Sequence, residues 1–302
     1  MFTDGTGRLQ PFWAFIVSAL LSCAAFLGAG YTAAAIAGDH VLRFEAIFRP
    51  LLVVLLLATF SWLLTVGNHI EERRVAAQGL PTSLGWGHQF YSGGAVGLLL
   101  VILAVIPLAV WGHLSFRTAL NWQSLARVLL VLGVLLSGAL AEELMFRGYP
   151  FQRLVDGIGA TGAIVVFSVL FGVVHLSNPA ASPWGLINTI AIGVLLAVAY
   201  LRTRALWLPW GIHFAWNAAI GLFLGLPVSG LRLFNVAVHA TAQGPKWLTG
   251  GNYGIEASAP GAIAILVGLV IIWKIPLNPL AAPAGLSPEG DQDPPKLLDI
   301  RN

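Results

Sequence analysis

The sequence predicts an all-α fold, that of a polytopic helical membrane protein with about eight transmembrane helices. The first observation behind this prediction is composition, because 57% of the 302 residues are hydrophobic and only 10% are charged. Soluble domains average roughly 45–50% apolar and about 25% charged residues, and the mean hydropathy of +0.82 agrees with a membrane protein. The second observation is the recurrence of apolar runs of about 20 residues, the length that crosses a hydrocarbon core about 30 Å thick.

The apolar runs predict where each helix lies. In chain order they cover residues 12–37, 50–67, 93–111, 126–155, 160–176, 184–201, 207–226 and 259–273. The first run is longer than the apolar core of a secretory signal and follows a single basic residue, Arg8, so we expect it to stay in the membrane as a helix. Tryptophans stand near many ends of the runs, as expected of an aromatic belt at the membrane interface.

This order divides the chain into four parts. Residues 1–124 hold the first three helices, residues 125–226 the central helices, residues 227–275 a long loop with the last helix, and residues 276–302 a tail. The tail is rich in proline and in small or polar residues, so we expect it to be disordered.

Basic residues between the predicted helices indicate the orientation in the membrane. One side would carry Arg8, Arg73, Arg74, Arg147, Arg153, Arg202, Arg204, Lys274, Lys296 and Arg301, and the other Arg43, Arg49, Arg117, Arg127, Arg232 and Lys246. The positive-inside rule then places both termini in the cytoplasm, at the cytoplasmic membrane if the protein is bacterial. Because the small positive charge is spread over loops, we expect no nucleic-acid partner. The apolar runs predict the lipid bilayer as a partner.

Ionisable residues inside the predicted helices are the candidates for function, because a charge at membrane depth costs at least about 2.5–3.5 kcal/mol on insertion scales. The fourth helix contains Glu142, Glu143 and Arg147, the fifth contains His175, and the seventh contains His213 and Asn217. These residues predict a polar site inside the bundle.

The spacing of these groups predicts that they meet. Glu142 and His175 lie symmetrically about the sequence Asp-Gly-Ile-Gly at 156–159, whose glycines suit a tight turn. An antiparallel hairpin of the fourth and fifth helices around this turn would place the two residues at the same height. His213 lies about two helical turns beyond the connection after the sixth helix, and a hairpin tip that projects from the lipid brings all three groups to one level.

The side chains of the fourth and fifth helices have structural as well as chemical interpretations. Glu143 and Arg147 are four residues apart, in the order that favours an ion pair, and they fit a structural clamp equally well. Glu142 points about 100° away from Glu143 on the helix, which makes it the better candidate for chemistry. A lone histidine such as His175 is more often a hydrogen-bonded core residue. The argument for a functional role is that His175 is predicted to lie at the same height in the bundle as Glu142.

His213 and Asn217 suit two donors aimed at one oxygen, although their spacing also suits an interhelical polar contact. A carboxylate that takes a proton from water, a histidine that helps to hold the water, and two oxyanion donors are what peptide hydrolysis requires. The sequence contains no H-E-x-x-H motif and no serine in a recognisable Gly-x-Ser setting, which leaves carboxylate-activated water.

Two other classes of protein use similar residues. A metal-dependent enzyme could use Glu142, His175 and His213 as ligands, because carboxylate and imidazole suit zinc or iron. A transporter would keep buried Glu, His and Arg for proton relay, and it would be expected to show an inverted repeat, which we do not see in the sequence.

Three motifs carry a resemblance to a known family. The sequences E-E-L-M-F-R-G at 142–148, F-G-V-V-H at 171–175 and Y-L-R-T-R-A-L-W-L-P-W-G-I-H-F-A-W-N at 200–217 are similar to motifs of the CPBP family of intramembrane glutamic proteases. This family includes the CAAX prenyl endopeptidases of the Rce1 type and the bacterial Abi proteins. The resemblance covers about residues 125–226, which it identifies as the catalytic core, and the catalytic pattern shows no departure.

The resemblance implies a membrane endopeptidase in which Glu142 and His175 activate water without a metal or another cofactor. His213 and Asn217 would form the oxyanion hole, with Glu143 and Arg147 in supporting roles. The implied substrate is a peptide or protein, prenylated or otherwise membrane-associated, that is cut near the cytoplasmic membrane face. Some Abi proteins act in bacteriocin immunity or as scaffolds, so the same resemblance carries a non-proteolytic alternative.

Overall fold

The computed structural model describes residues 10–66, 78–118 and 121–277. Its helices are α1 (Pro11–Ala37), α2 (Val41–Val66), α3 (Trp86–Trp111), α4 (Trp122–Arg147), α5 (Tyr149–Val174), α6 (Pro183–Thr203), α7 (Trp207–Ala218), α8 (Lys246–Thr249) and α9 (Ala259–Lys274). A small antiparallel sheet pairs β1 (His113–Thr118) with β2 (Val238–Gln243). The predicted all-α fold is confirmed, and the short sheet is an addition that the apolar runs did not predict.

Five helical stretches in the described part of the chain are long and apolar enough to cross a membrane. They are α1, residues Val41–Thr65 of α2, α3, the stretch Trp122–Ser177 that contains α4 and α5, and α6, whereas α9 is a shorter apolar helix. The chain is therefore an integral membrane protein, as predicted, and the number of about eight crossings stays a prediction. Arg8, Arg73, Arg74 and the tail from residue 278 lie outside the described residues.

The boundary between the fourth and fifth predicted helices is wrong. The sequence placed one helix over residues 126–155, but α4 ends at Arg147 because Gly148 leaves the helical conformation, with φ −76° and ψ −143°. A second break follows inside α5 at Gly159, whose φ of 80° and ψ of 166° suit a residue without a Cβ. Hydrophobicity alone could not locate the first break, because apolar residues continue on both sides of it.

The register of the hairpin agrees with the prediction from the symmetric spacing. The ring centroids of Phe146 and Phe171 are 5.1 Å apart, and those of Phe151 and Phe167 are 5.5 Å apart. Residues on either side of Gly148 therefore face the part of α5 that follows Gly159, in antiparallel order, and the chain reverses near Gly159. This order places Glu142 at the level of the carboxyl end of α5.

The bundle has two distinct ends. We call the end that holds Gly159 the turn end. A Cβ on Gly157 would meet Pro11 at 3.8 Å, so α1 begins at the turn end. The helix α6 runs antiparallel to the part of α5 after Gly159 and ends at the turn end, beside the last turn of α9. The opposite end, which we call the cap end, holds the α1–α2 connection and the sheet. It also holds residues 227–258, and we call this segment the cap.

Glycines bring α3 and α7 into direct backbone contact. A Cβ on Gly93 would lie 2.2 Å from the carbonyl oxygen of Leu208, and one on Gly97 would lie 2.5 Å from that of Ile212. Small residues of this kind allow close helix packing where no hydrophobic effect drives association inside lipid. The contact fixes α7, the helix that carries His213 and Asn217, against a long membrane helix.

We expect Gly97→Ala to destabilise the protein by about 1–3 kcal/mol, because the added methyl group must displace the backbone of α7. Thermal unfolding in detergent measures the effect as a lower Tm. Gly94→Ala is the matched control on the same helix, because a Cβ there meets no atom within 4 Å. Equal Tm values for the two variants would contradict this account of the packing.

Candidate active site

The centre of the site is a buried ion pair in the last turn of α4. Glu143 and Arg147 each have 0% exposed side-chain surface, and Nη1 of Arg147 lies 3.2 Å from Oε1 of Glu143. Nη2 of Arg147 donates to the carbonyl oxygen of Gly193 in α6 at 3.1 Å, and the guanidinium lies 4.5 Å from the ring centroid of Phe171 in α5. This pair therefore connects α4 with both helices that follow it.

His213 joins the two glutamates of α4 to α7. Its Nδ1 lies 2.8 Å from Oε1 of Glu143, and its Nε2 lies 3.6 Å from Oε2 of Glu142. Each ring nitrogen thus faces one carboxylate. If Nδ1 donates to Glu143, a second proton on Nε2 is needed before His213 can donate to a substrate oxygen.

Glu142 stands at the edge of a cavity. Its side chain is 29% exposed, and its Oε1 lies 3.8 Å from Nη1 of Arg49 in α2. Its Oε2 is buried and accepts no hydrogen bond from any side chain or backbone group of the described residues. This oxygen therefore faces Nε2 of His213, while the exposed part of the Glu142 side chain lines the cavity.

The position of His175 determines which of its nitrogens is available. His175 begins a short 3₁₀ turn, His175–Ser177, directly after α5, and its Nδ1 lies 2.6 Å from the carbonyl oxygen of Phe171. Because a carbonyl can only accept, Nδ1 carries the proton, and Nε2 is left as an acceptor. The half-buried ring of His175 can therefore accept a hydrogen bond from water.

A single cavity of about 770 Å³ brings the predicted residues together. Its lining includes Glu142, His175, His213 and Asn217, whereas Glu143 and Arg147 lie behind it in the protein core. One wall is largely apolar and comes from Phe26 and Leu27 of α1 with neighbouring residues of α2, which also contributes Glu45 and Arg49. A more polar wall comes from α7 and the cap.

The polar wall includes a carboxylate that the sequence did not predict. Glu256 of the cap accepts a 3.0 Å hydrogen bond from Nε1 of Trp216, the residue before Asn217, and also bonds the backbone and hydroxyl group of Ser229. Burial raises the pKa of Glu256, because desolvation outweighs these hydrogen bonds. Asn188 of α6 donates to the backbone carbonyls of Glu256 and Ser258, and it thereby joins α6 to the cap.

The structure corrects the use of two arginines in the orientation prediction. Arg147 was counted in a cytoplasmic loop, but its side chain is fully buried in the site. Arg49 was counted in a loop on the other side, but it lies inside α2 and faces Glu142. A residue count cannot distinguish a loop arginine from one that lies in the bundle with a carboxylate partner.

The cavity extends from the middle of the bundle to the cap. Its lining includes Phe26 and Leu27 near the middle of α1, Leu135 to Phe146 in the second half of α4, and residues of the cap. The chain begins α1 and ends α9 at the turn end. The orientation of the termini and the membrane face at which cleavage occurs both stay predictions.

The alternative of a metal enzyme finds no support in the arrangement of side chains. In the residues that the structure describes, no three His, Cys, Asp or Glu side chains are grouped so that they could hold a metal ion. His213 instead uses Nδ1 to contact Glu143, and His175 uses Nδ1 to contact a backbone carbonyl.

Fold and site together define a class of protein, a polytopic helical membrane protein with two carboxylates and two histidines at an internal cavity. Residues 122–219 match the family model described as type II CAAX prenyl endopeptidase Rce1-like, and the predicted resemblance is confirmed. Neither the curated proteins nor the solved structures provide a match. The family is that of CAAX-type membrane endopeptidases.

The contacts of Glu256 predict that it holds the cap on the site. We expect Glu256→Ala to leave the donors of Trp216 and Ser229 without their acceptor, at a cost of about 1–3 kcal/mol for each buried group. Hydrogen exchange in detergent should then be faster in residues 227–258 and unchanged in α3. Asp156→Ala, which removes an exposed acid at the turn end, is the control, and unchanged exchange in the cap of Glu256→Ala would refute this role.

Proposed function

We propose that this protein is an intramembrane glutamic endopeptidase that hydrolyses a peptide bond with water activated by Glu142 and His175, without a metal. The observation that carries the proposal is the meeting of Glu142, His175, His213 and Asn217 at one cavity. The family match over residues 122–219 supports the reaction class. The role of each individual residue is part of what we propose.

In the proposed reaction, a water molecule lies between Glu142 and His175. Nε2 of His175 accepts one hydrogen bond from this water, and Glu142 removes a proton as the water oxygen attacks the carbonyl carbon. The carbonyl oxygen then carries the negative charge of a tetrahedral intermediate. When the intermediate collapses, the C–N bond breaks and Glu142 passes its proton to the leaving amine, so that the products are a carboxylic acid and an amine.

His213 and Asn217 supply the donors for the oxyanion in this proposal. They are four residues apart in α7, and both line the cavity beside Glu142. Two carboxylates surround His213, and they would compensate the charge of a doubly protonated ring that donates from Nε2. Glu143 and Arg147 support the site, because they hold His213 from behind.

The proposed substrate is a membrane-associated peptide, such as one that is prenylated near its carboxyl terminus. The apolar wall formed by α1 and α2 suits a hydrocarbon chain, and the polar wall formed by α7 and the cap suits a peptide.

A cleavage assay with purified protein and a prenylated carboxyl-terminal peptide tests the reaction. We expect Glu142→Gln and His175→Ala to lower kcat by at least about 100-fold, because each removes a group that acts on the water. We expect Asn217→Ala to cost about 100- to 1000-fold, the usual effect of losing one oxyanion donor.

His239→Ala is the matched control for the histidine variant, because His239 is exposed on β2 and outside the cavity. Wild-type rates in Glu142→Gln and His175→Ala would refute the assignment of the catalytic residues. Absence of cleavage by folded wild-type protein, with prenylated and unprenylated peptides alike, would favour the non-proteolytic scaffold or immunity role.

The orientation can be measured with single cysteines in a Cys23→Ser background. We propose that the termini are cytoplasmic, since the side that the sequence predicts to be cytoplasmic keeps the excess of basic residues after Arg49 and Arg147 are removed from the count. A membrane-impermeant maleimide added to intact cells should then label His239→Cys at the cap end and spare Arg204→Cys at the turn end. The reverse pattern would place the termini outside the cytoplasm.

A further inference from the structure

Arg49 stands at the reacting carboxylate although it lies far from the matched residues 122–219. It belongs to α2, and its Nη1 lies 3.8 Å from Oε1 of Glu142. Its side chain is only 15% exposed and lines the same cavity. Among the described residues, this arginine and His213 are the two partners that form ion pairs with Glu142.

Two contacts determine where the guanidinium of Arg49 lies. Its Nε binds the carboxylate of Glu45, one turn earlier in α2. The guanidinium also lies 5.7 Å from the ring centroid of Phe234, which belongs to the cap. Arg49 is therefore held from its own helix and from the cap, and it approaches Glu142 without a direct hydrogen bond.

A glycine in α4 provides the path by which Arg49 reaches Glu142. A Cβ on Gly138 would lie 2.1 Å from Nη1 of Arg49 and 2.7 Å from its Cδ. Gly138 lies one helical turn before Glu142, so the arginine crosses α4 directly beside the carboxylate. Any larger residue at position 138 would displace the guanidinium.

We propose that Arg49 is a positioning residue of the hydrolytic site, which holds the carboxylate of Glu142 in its charged form and aims it at the water. This inference rests on the proposed function of Glu142. A carboxylate in a site of low polarity is stable only with a compensating charge nearby, and Arg49 supplies it on the side opposite His213. Because Arg49 does not hydrogen bond to Glu142, the carboxylate is free to take up a proton and release it.

Glu45 has a defined part in this arrangement. An arginine without a second partner would form a close two-bond pair with Glu142, as guanidinium and carboxylate geometry favours, and it would occupy the oxygens that must bind water. The bond to Glu45 keeps Nε engaged one turn away. The cluster therefore separates the tasks of charge compensation and proton transfer.

Steady-state kinetics on the prenylated peptide test the inference. We expect Arg49→Met to lower kcat by about 10- to 100-fold with KM changed by less than about threefold, because the loss acts on the reacting group and not on substrate binding. Arg49→Lys should recover part of the rate, since lysine restores the positive charge but not the planar guanidinium group. A rate of Arg49→Met equal to wild type would overturn the proposal.

A pair of glycine variants separates position from charge. Gly138→Ala keeps Arg49 in the chain but displaces it, and we expect kcat to fall by a factor similar to that of Arg49→Met. Gly133→Ala, on the same helix where a Cβ meets no atom within 4 Å, should keep the wild-type rate. Equal rates in the two alanine variants would contradict the proposed path of the arginine.

Thermal unfolding in detergent tests the contact even if the chain cleaves no peptide. We expect Arg49→Met to lower Tm in the wild-type background and to lower it by less than half as much in a Glu142→Gln background, because only a charged Glu142 loses its compensation. Additive changes in Tm would overturn the contact between Arg49 and Glu142. Absence of cleavage with non-additive Tm changes would reject the proposed reaction and retain the contact.

Discussion

The structure depends on one buried charge cluster in an otherwise apolar bundle, the contact of Arg147 with Glu143 and of Glu143 with His213. Its members come from α4 and α7, and Arg147 also binds the backbone of α6 and lies over a ring of α5. Removing one partner of such a pair leaves an uncompensated charge out of water, which makes the cluster specific for a single arrangement of the helices. The four helices must meet here, or the charges have no partners.

This cluster explains how a polar cavity can exist inside an apolar bundle. Glu143 and Arg147 are fully buried behind the cavity, and their charges are compensated within the protein core. Glu142, one residue away, points in a different direction and lines the cavity with part of its side chain exposed. Adjacent carboxylates on one helix thus serve two purposes, because successive helical residues point about 100° apart.

The parts of the chain outside the matched residues 122–219 complete the site. The cap contributes Glu256 and Phe234, and α2 contributes Glu45 and Arg49, so that both walls of the cavity include residues that the motifs do not cover. The cap covers part of the cavity, and the glycine contact between α3 and α7 fixes the helix that carries His213 and Asn217.

The sequence by itself determined the membrane character, the order of the long helices, the hairpin register of Glu142 and His175, and the three groups of polar residues. These follow from composition, helix length and the cost of charge in lipid, which act locally along the chain. Only the tertiary structure decided the break at Gly148, the partners of His213, the place of Arg49 and Glu256, and the lining of the cavity. These depend on contacts between residues far apart in the chain, and neither hydropathy nor motif spacing indicates that α2 and the cap reach Glu142 and Trp216.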